Sequence, residues 1–339
     1  MPIVVQQDFS QEATVIVWRN INKAKFIPTG HFGHAAIMLR GTSLGIQNGE
    51  YKYISWWPAD GAGKQDAVRS QGGIAEANYV NDMRDEMSER AQQALRAGRY
   101  QPRQGQADIT EDLRLIGDDP GGRSFGQHAD AFVSVPGIGA MNSLFGLNLV
   151  RMNDWFEDYQ WNGGTYKLAS STKSCAGVAA VALVEGGGEA FVKAPNALIY
   201  MEPKQVESYG RSLRRAIDDF NRDVRAFQGT IDGVLRQSLN YTTGVTGFQT
   251  SKNLWDYVTW KKQSAVKKSI RSQRIRKIDD ALQSYHRHDW DGSFVKRYKA
   301  LVRILRNVMK HSRQNPNSDR RYAVTMLGKQ CIDVMRANI

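Results

Sequence analysis

The stretch "STKSCAGVAAVALVEGGG", residues 171–188, decides how this chain is read. Ser170, Ser171, Thr172 and Ser174 are all residues that cap helix starts by offering a side-chain oxygen to free backbone N–H groups. "CAGVAAVALVE" then makes a tight helix of small residues, and "GGG" stops it. Its surface is apolar nearly all round, so the helix is expected to be buried. Cys175 stands at its first turn. One reading makes it a small core residue, since free cysteine is among the most buried types. The other makes it a nucleophile, because a helix N-terminus favours thiolate through free N–H groups and the positive dipole end, and Lys173 adds charge of the same sign.

Upstream, "ATVIVWRNI", "GHAAIMLRG" and "EYKYISWWP" read as three strands separated by Gly, Asn and Pro. Residues 76–97 are polar and rich in helix formers, which predicts an exposed helix. Residues 100–125 read mostly as loop with a short ordered element at "EDLRL". "RMNDWFEDYQW", residues 151–161, predicts a short helix capped by Asn153 or Asp154. From about residue 203 the pattern is helical, beginning with one long amphipathic run and followed by "FVKRYKALVRILRNVMKHS" and "RRYAVTMLGKQCIDVMRAN". A sheet followed by helices is an α+β arrangement.

Charge divides the chain at the same place. Residues 1–200 hold 18 Lys+Arg against 21 Asp+Glu, whereas residues 201–339 hold 28 against 13. The asymmetry predicts two units, 1–200 and 201–339, with different partners. Two cysteines among 339 residues exclude a disulfide framework and suit a reducing compartment. No stretch approaches the 18 or so apolar residues of a membrane span. The first residues lack the basic start and apolar centre of a secretory signal.

A cysteine nucleophile needs a base, usually His. His286 and His288 lie in the basic part, His311 near a helix end and His128 in a loop. His31 and His34 remain. Their spacing puts them on opposite faces of a strand, and no further ligand cluster accompanies them, so no metal and no other cofactor is expected. His34 begins "HAAIML", shares a face with Ala36 and Met38, and is the base candidate.

Together, "GHAAIMLRG", "YKYISWWPADG", "EDLRLIGDDP", "NDWFEDYQ" and the Cys175 helix resemble a family of bacterial effectors with a circularly permuted, NlpC-like papain fold. These include Rho-inactivation domains of multifunctional toxins, IcsB and BopA effectors, and papain-like type VI secretion effectors. The resemblance covers roughly residues 14–195. It implies an antiparallel sheet packed on the Cys-bearing helix, a Cys175 thiolate that attacks a carbonyl, and His34 as proton carrier through a thioester intermediate. It also implies an acidic or amide third member. Asp112 matches the family's acidic segment best, with Asp82, Asp85 and Ser55 as alternatives. Ser174 stands where the family usually has Asn.

Residues 261–277, "KKQSAVKKSIRSQRIRK", carry eight cations and no acid. A solvated helical face, an anionic membrane surface and nucleic acid are the readings in play. No zinc-finger, RNA-recognition or helix-turn-helix signature supports nucleic acid. A docking surface for a chaperone or secretion carrier, or an immunity partner, is a further expectation. The functional expectation is a cysteine peptidase or amidase acting on a protein or peptide in a target cell. A lysine fatty acyltransferase of the same fold is the alternative. A non-catalytic membrane- or nucleic-acid-binding module is the alternative of another class.

Overall fold

The structure, a computed structural model, describes residues 11–45, 51–58, 74–97, 116–196, 200–246 and 294–314, apart from 28–29, 76, 81–82, 117–118, 120–121, 125 and 141–142, together with 328, 329 and 332. The chain divides into two compact units, Met1–Ile217 and Asp218–Ile339. The division falls inside a helix that begins at Pro203, so change of pattern and change of packing unit do not coincide.

The first unit is α+β. Its main sheet has five antiparallel strands in the order β5-β3-β2-β1-β6. The members are β1 (Glu12–Ile27), β2 (Gly30–Arg40), β3 (Lys52–Pro58), β5 (Ala77–Val80) and β6 (Ala131–Pro136). Two short strands, β4 (Ile74–Ala75) and β7 (Tyr166–Lys167), pair with each other. β1 lies inside the sheet, between β2 and β6, and its "ATVIVW" run suits burial on both faces: Val15, Ile16 and Val17 are fully buried, and Ala13 with them. β6 was not evident from its sequence. Only alternate residues of "AFVSVP" are buried, and the run is six residues long. Val133 pairs with Val15 of β1, which supplies the apolar partner that completes it.

Three helices serve this sheet. Helix α2 (Leu149–Asn162) starts two residues before the predicted segment, and its cap is Asn148, whose side chain accepts from Arg151 N–H at 3.0 Å. Neither Asn153 nor Asp154 caps it. Helix α3 (Cys175–Glu185) packs against β2, β3 and α2 and is buried along its length, as its composition requires. Gly187, at φ 91°, supplies the left-handed turn that follows it. Helix α4 (Pro203–Thr246) begins over the sheet, where Gly210 lies so close that a Cβ would sit 3.2 Å from Val15.

Residues 76–97 correct the sequence expectation. The segment is β5, a 3-10 turn (Met83–Glu86) and a short helix α1 (Glu89–Arg96), not one exposed helix. The good helix formers lie further along, in α1; Ala77–Val80, with the strand-favouring Tyr79 and Val80, adds an edge strand to β3, with Trp56 opposite Tyr79. Ser88 then starts α1, its hydroxyl accepting from Ala91 N–H at 3.3 Å and its own N–H donating to Asp119 at 2.6 Å.

In the second unit, helix α5 (Phe294–Gln314) buries Tyr298, Leu301, Val302, Leu305, Val308 and Met309. Its exposed side carries Lys296, Lys299, Arg303 and Lys310, and the helix contains no acidic residue. The run 261–277 and Cys331 lie outside the described residues.

Candidate active site

His34 and the strand β3 build the site from sheet register. Ile37 faces Ile54 and Met38 faces Tyr53. Two-residue alternation therefore puts His34, Ala36 and Met38 on one face with Tyr53, Ser55 and Trp57. The His34 ring stacks on Trp57, with centroids 3.9 Å apart and an interplanar angle of 16°, and Trp18 closes its other flank at 5.5 Å. Gly33 precedes it for a steric reason. A Cβ there would meet Arg19 O at 2.4 Å and Trp18 O at 2.6 Å, so only glycine lets β1 approach His34 this closely.

The same face of β3 aims three donors at one carboxylate. Ser55 Oγ donates to Glu86 Oε1 at 2.7 Å, Tyr53 OH at 2.9 Å and Trp57 Nε1 at 3.3 Å. Residues i, i+2 and i+4 of one strand thus converge on Glu86, which is fully buried. A dry carboxylate of this kind is tolerated only because it is hydrogen-bonded. Burial raises its pKa, and the three donors and then Arg123 oppose the rise. Arg123 is fixed beside it: its backbone N–H donates to Glu86 O at 2.8 Å, and its guanidinium lies 5.7 Å from the Trp57 ring.

Hydrogen-bond directions in this cluster fix the histidine tautomer. Ser55 has one proton, and it goes to Glu86 Oε1. Its oxygen then accepts from His34 Nε2–H across 2.9 Å. The lone pair of the ring is left on Nδ1, which is buried and has no hydrogen-bond partner among the described residues. Burial pushes the His34 pKa well below its ordinary value, and the Arg123 charge adds to the effect. The neutral imidazole is therefore the resting form, with Nδ1 free to take a proton.

Cys175 enters from α3 as the first residue after the cap. Ser174 Oγ accepts from Gly177 N–H at 3.1 Å and donates to Ser170 O at 2.9 Å. The preceding loop is tied down at Lys173 O, which receives Lys167 N–H at 3.1 Å and Trp56 Nε1–H at 3.2 Å. The thiol meets β2 directly beside His34: Sγ lies 3.7 Å from Gly33 O. Cys175 is only 2 % exposed, and burial pushes its pKa up to about 11. The N–H groups of Ala35 and Ala176, the Tyr166 hydroxyl and its own N–H favour the thiolate but do not outweigh the burial. The helix-start effect on this thiol is present, and desolvation is larger.

The Cys175 sulfur thus lies against the β2 backbone at the residue before His34, and Ser55 bonds the His34 ring. Asp112 and Asp82 lie outside the described residues, and Asp85 is exposed on the 3-10 turn. Glu86, next to Asp85, is the buried carboxylate at the site and was missed by sequence reasoning. Its neighbours are charged and polar, which hides a buried acid. The legible signal was the "Y-x-S-x-W" alternation of β3, which places three donors on one face. Among the described residues no group of three or more His, Cys, Asp or Glu could hold a metal ion. His128 is exposed, and nothing is described of the His31 side chain.

The model of the IcsB middle domain matches residues 7–118 and 119–232. The chain belongs to this family. The match spans the sheet, the Cys175 helix and the first part of α4, and it places the chain with bacterial effectors. No curated protein and no solved structure matches the chain. Among the described residues no helix is long and apolar enough to cross a membrane.

Proposed function

We propose that the first unit is a cysteine-dependent acyl-transfer enzyme with a permuted papain-like arrangement. Cys175 is the nucleophile, His34 the base, and Glu86 orients His34 through Ser55. One observation carries the reading: the Glu86–Ser55–His34 relay leaves Nδ1 without a partner, on the strand that the Cys175 thiol touches. Nδ1 takes the thiol proton as Sγ attacks a carbonyl carbon, and the imidazolium so formed is stabilised by Glu86. The Trp57 and Trp18 rings and the Ser55 bond hold the ring in one orientation. The leaving group departs with the proton from His34, and a thioester remains on Cys175.

Water resolving that thioester makes the protein a peptidase or amidase. An amine resolving it makes the protein a lysine acyltransferase, and the nearly water-free setting of Cys175 favours this second outcome, because a thioester there is shielded from hydrolysis. In either case the protein acts in a target cell on a protein or peptide. The cation-rich second unit serves an anionic membrane surface, where each cation contributes about 1 kcal/mol.

The test is mass spectrometry of target-cell proteins exposed to active protein and to Cys175→Ala. New lysine acylation or new chain termini that need the thiol are expected. Identical proteomes, and equal toxicity of the two proteins in the target cell, would refute the enzyme reading in favour of a binding module.

A further inference from the structure

We infer that Tyr166 is a further catalytic residue, its hydroxyl donating a hydrogen bond to the oxyanion that forms when Cys175 attacks a carbonyl. The inference rests on the acyl-transfer reading. Tyr166 is 1 % exposed, and its hydroxyl has no hydrogen-bond partner among the described residues. Buried hydroxyls nearly always find one, so an unmet donor beside a reactive group asks for an explanation. Tyr166 is also held with some care. It lies on β7, paired with Ala75 of β4, and the next residue bonds to Lys173 O at the loop leading into Cys175. The Cys175 sulfur and backbone N–H both interact electrostatically with the phenol. Burial holds the phenol pKa well above its ordinary value, so the proton stays on it throughout the reaction.

The chemistry balances without moving that proton. The Sγ–C bond forms as the thiol proton passes to His34, and the carbonyl π pair moves onto oxygen. Tyr166 O–H and the Cys175 N–H at the start of α3 donate to that oxygen. When the intermediate collapses, the pair returns to re-form the carbonyl and the bond to the leaving group breaks. In the resting site the hydroxyl lies against the Cys175 thiol, and the developing oxyanion offers it a charged acceptor, so its bond is strongest in the transition state.

The experiment uses two reagents on the full chain at one pH. p-Nitrophenyl acetate acylates Cys175 through an oxyanion; iodoacetamide alkylates the same sulfur by displacement, with no oxyanion. Both rates are read by mass spectrometry of the intact protein, for wild type and Tyr166→Phe. The expected result is acylation slowed by about a hundredfold or more with alkylation changed by no more than about twofold. Tyr166→Phe removes one buried hydroxyl whose neighbours are the Cys175 thiol and N–H, so its melting temperature is expected to stay within a few degrees of wild type. Equal acylation of the two proteins overturns the inference and leaves the enzyme reading intact. Parallel losses in both reactions also overturn it, by showing that Tyr166 positions the thiol. Failure of wild-type Cys175 to acylate sinks the underlying reading and this inference with it.

Discussion

At the residue scale, Glu86 separates two roles that buried carboxylates often combine. Its Oε1 satisfies Tyr53, Ser55 and Trp57, and in the proposed reaction its charge would face an imidazolium on His34, whose Nε2 lies 3.8 Å away. Glu86→Ala leaves three buried donors unmet, at about 1–3 kcal/mol each, so a marked loss of urea midpoint is expected. Glu86→Gln keeps an acceptor and loses the charge. Its stability at neutral pH is expected to equal or exceed that of wild type, while Cys175 acylation slows by at least about tenfold. The pH dependence has a definite sign. The folded pKa of Glu86 is raised by burial, so its contribution to stability is full below the ordinary carboxylate value and is lost as pH rises through the raised one. Subtracting the Gln variant's urea midpoints from those of wild type across that window should give a falling difference. A flat difference would mean that Glu86 is not desolvated. The sequence displayed none of this, because burial of a carboxylate is a property of what closes over it.

At the element scale, the start of α3 is what the local sequence specifies most completely. Ser174 makes both bonds of a cap, and Gly177 lets the loop fold tightly back: a Cβ there would meet backbone atoms of Ser171 and Thr172 at 2.8 Å. Backbone cannot yield as a flexible side chain would. Gly177→Ala is therefore expected to cost about 1–3 kcal/mol, despite alanine's better helix propensity. Ser174→Ala should cost about 1 kcal/mol. Thermal melts of both variants test the pair, and a stabilised Gly177→Ala would contradict the packing described. Ser174 in place of the family's usual Asn leaves the cap intact, since a hydroxyl both accepts from Gly177 N–H and donates to Ser170 O. The sequence misled where elements were decided by neighbours. Ala77–Val80 is too short to stand out from the helix-forming residues that follow it, and it is a strand because it pairs with the edge of β3. Ala131–Pro136 is too short and too mixed to be recognised without β1.

At the scale of the whole molecule, the acidic-leaning and basic parts of the chain imply a division of labour. Helix α5 shows its form: an apolar face buried, and Lys296, Lys299, Arg303 and Lys310 along the exposed one. Arg306 is turned toward the Phe220 ring, 5.5 Å away. Full-length protein is expected to co-sediment with vesicles containing phosphatidylserine at low salt, and to be released as salt shortens the screening length. Retention on neutral vesicles, or indifference to salt, would argue against an electrostatic membrane contact. The sequence by itself determined the α+β class, the strands β1 to β3, the buried cysteine helix with its cap, and the charge divide. Each of these rests on periodicity, composition or a local cap, which a few neighbouring residues express. The tertiary structure alone decided that Glu86 rather than an exposed neighbour meets the sheet, that Nδ1 is the open nitrogen of His34, and that a hydroxyl on β7 stands beside the thiol. Those facts depend on residues far apart in the chain sharing one dry space, and no local pattern records which of them will meet.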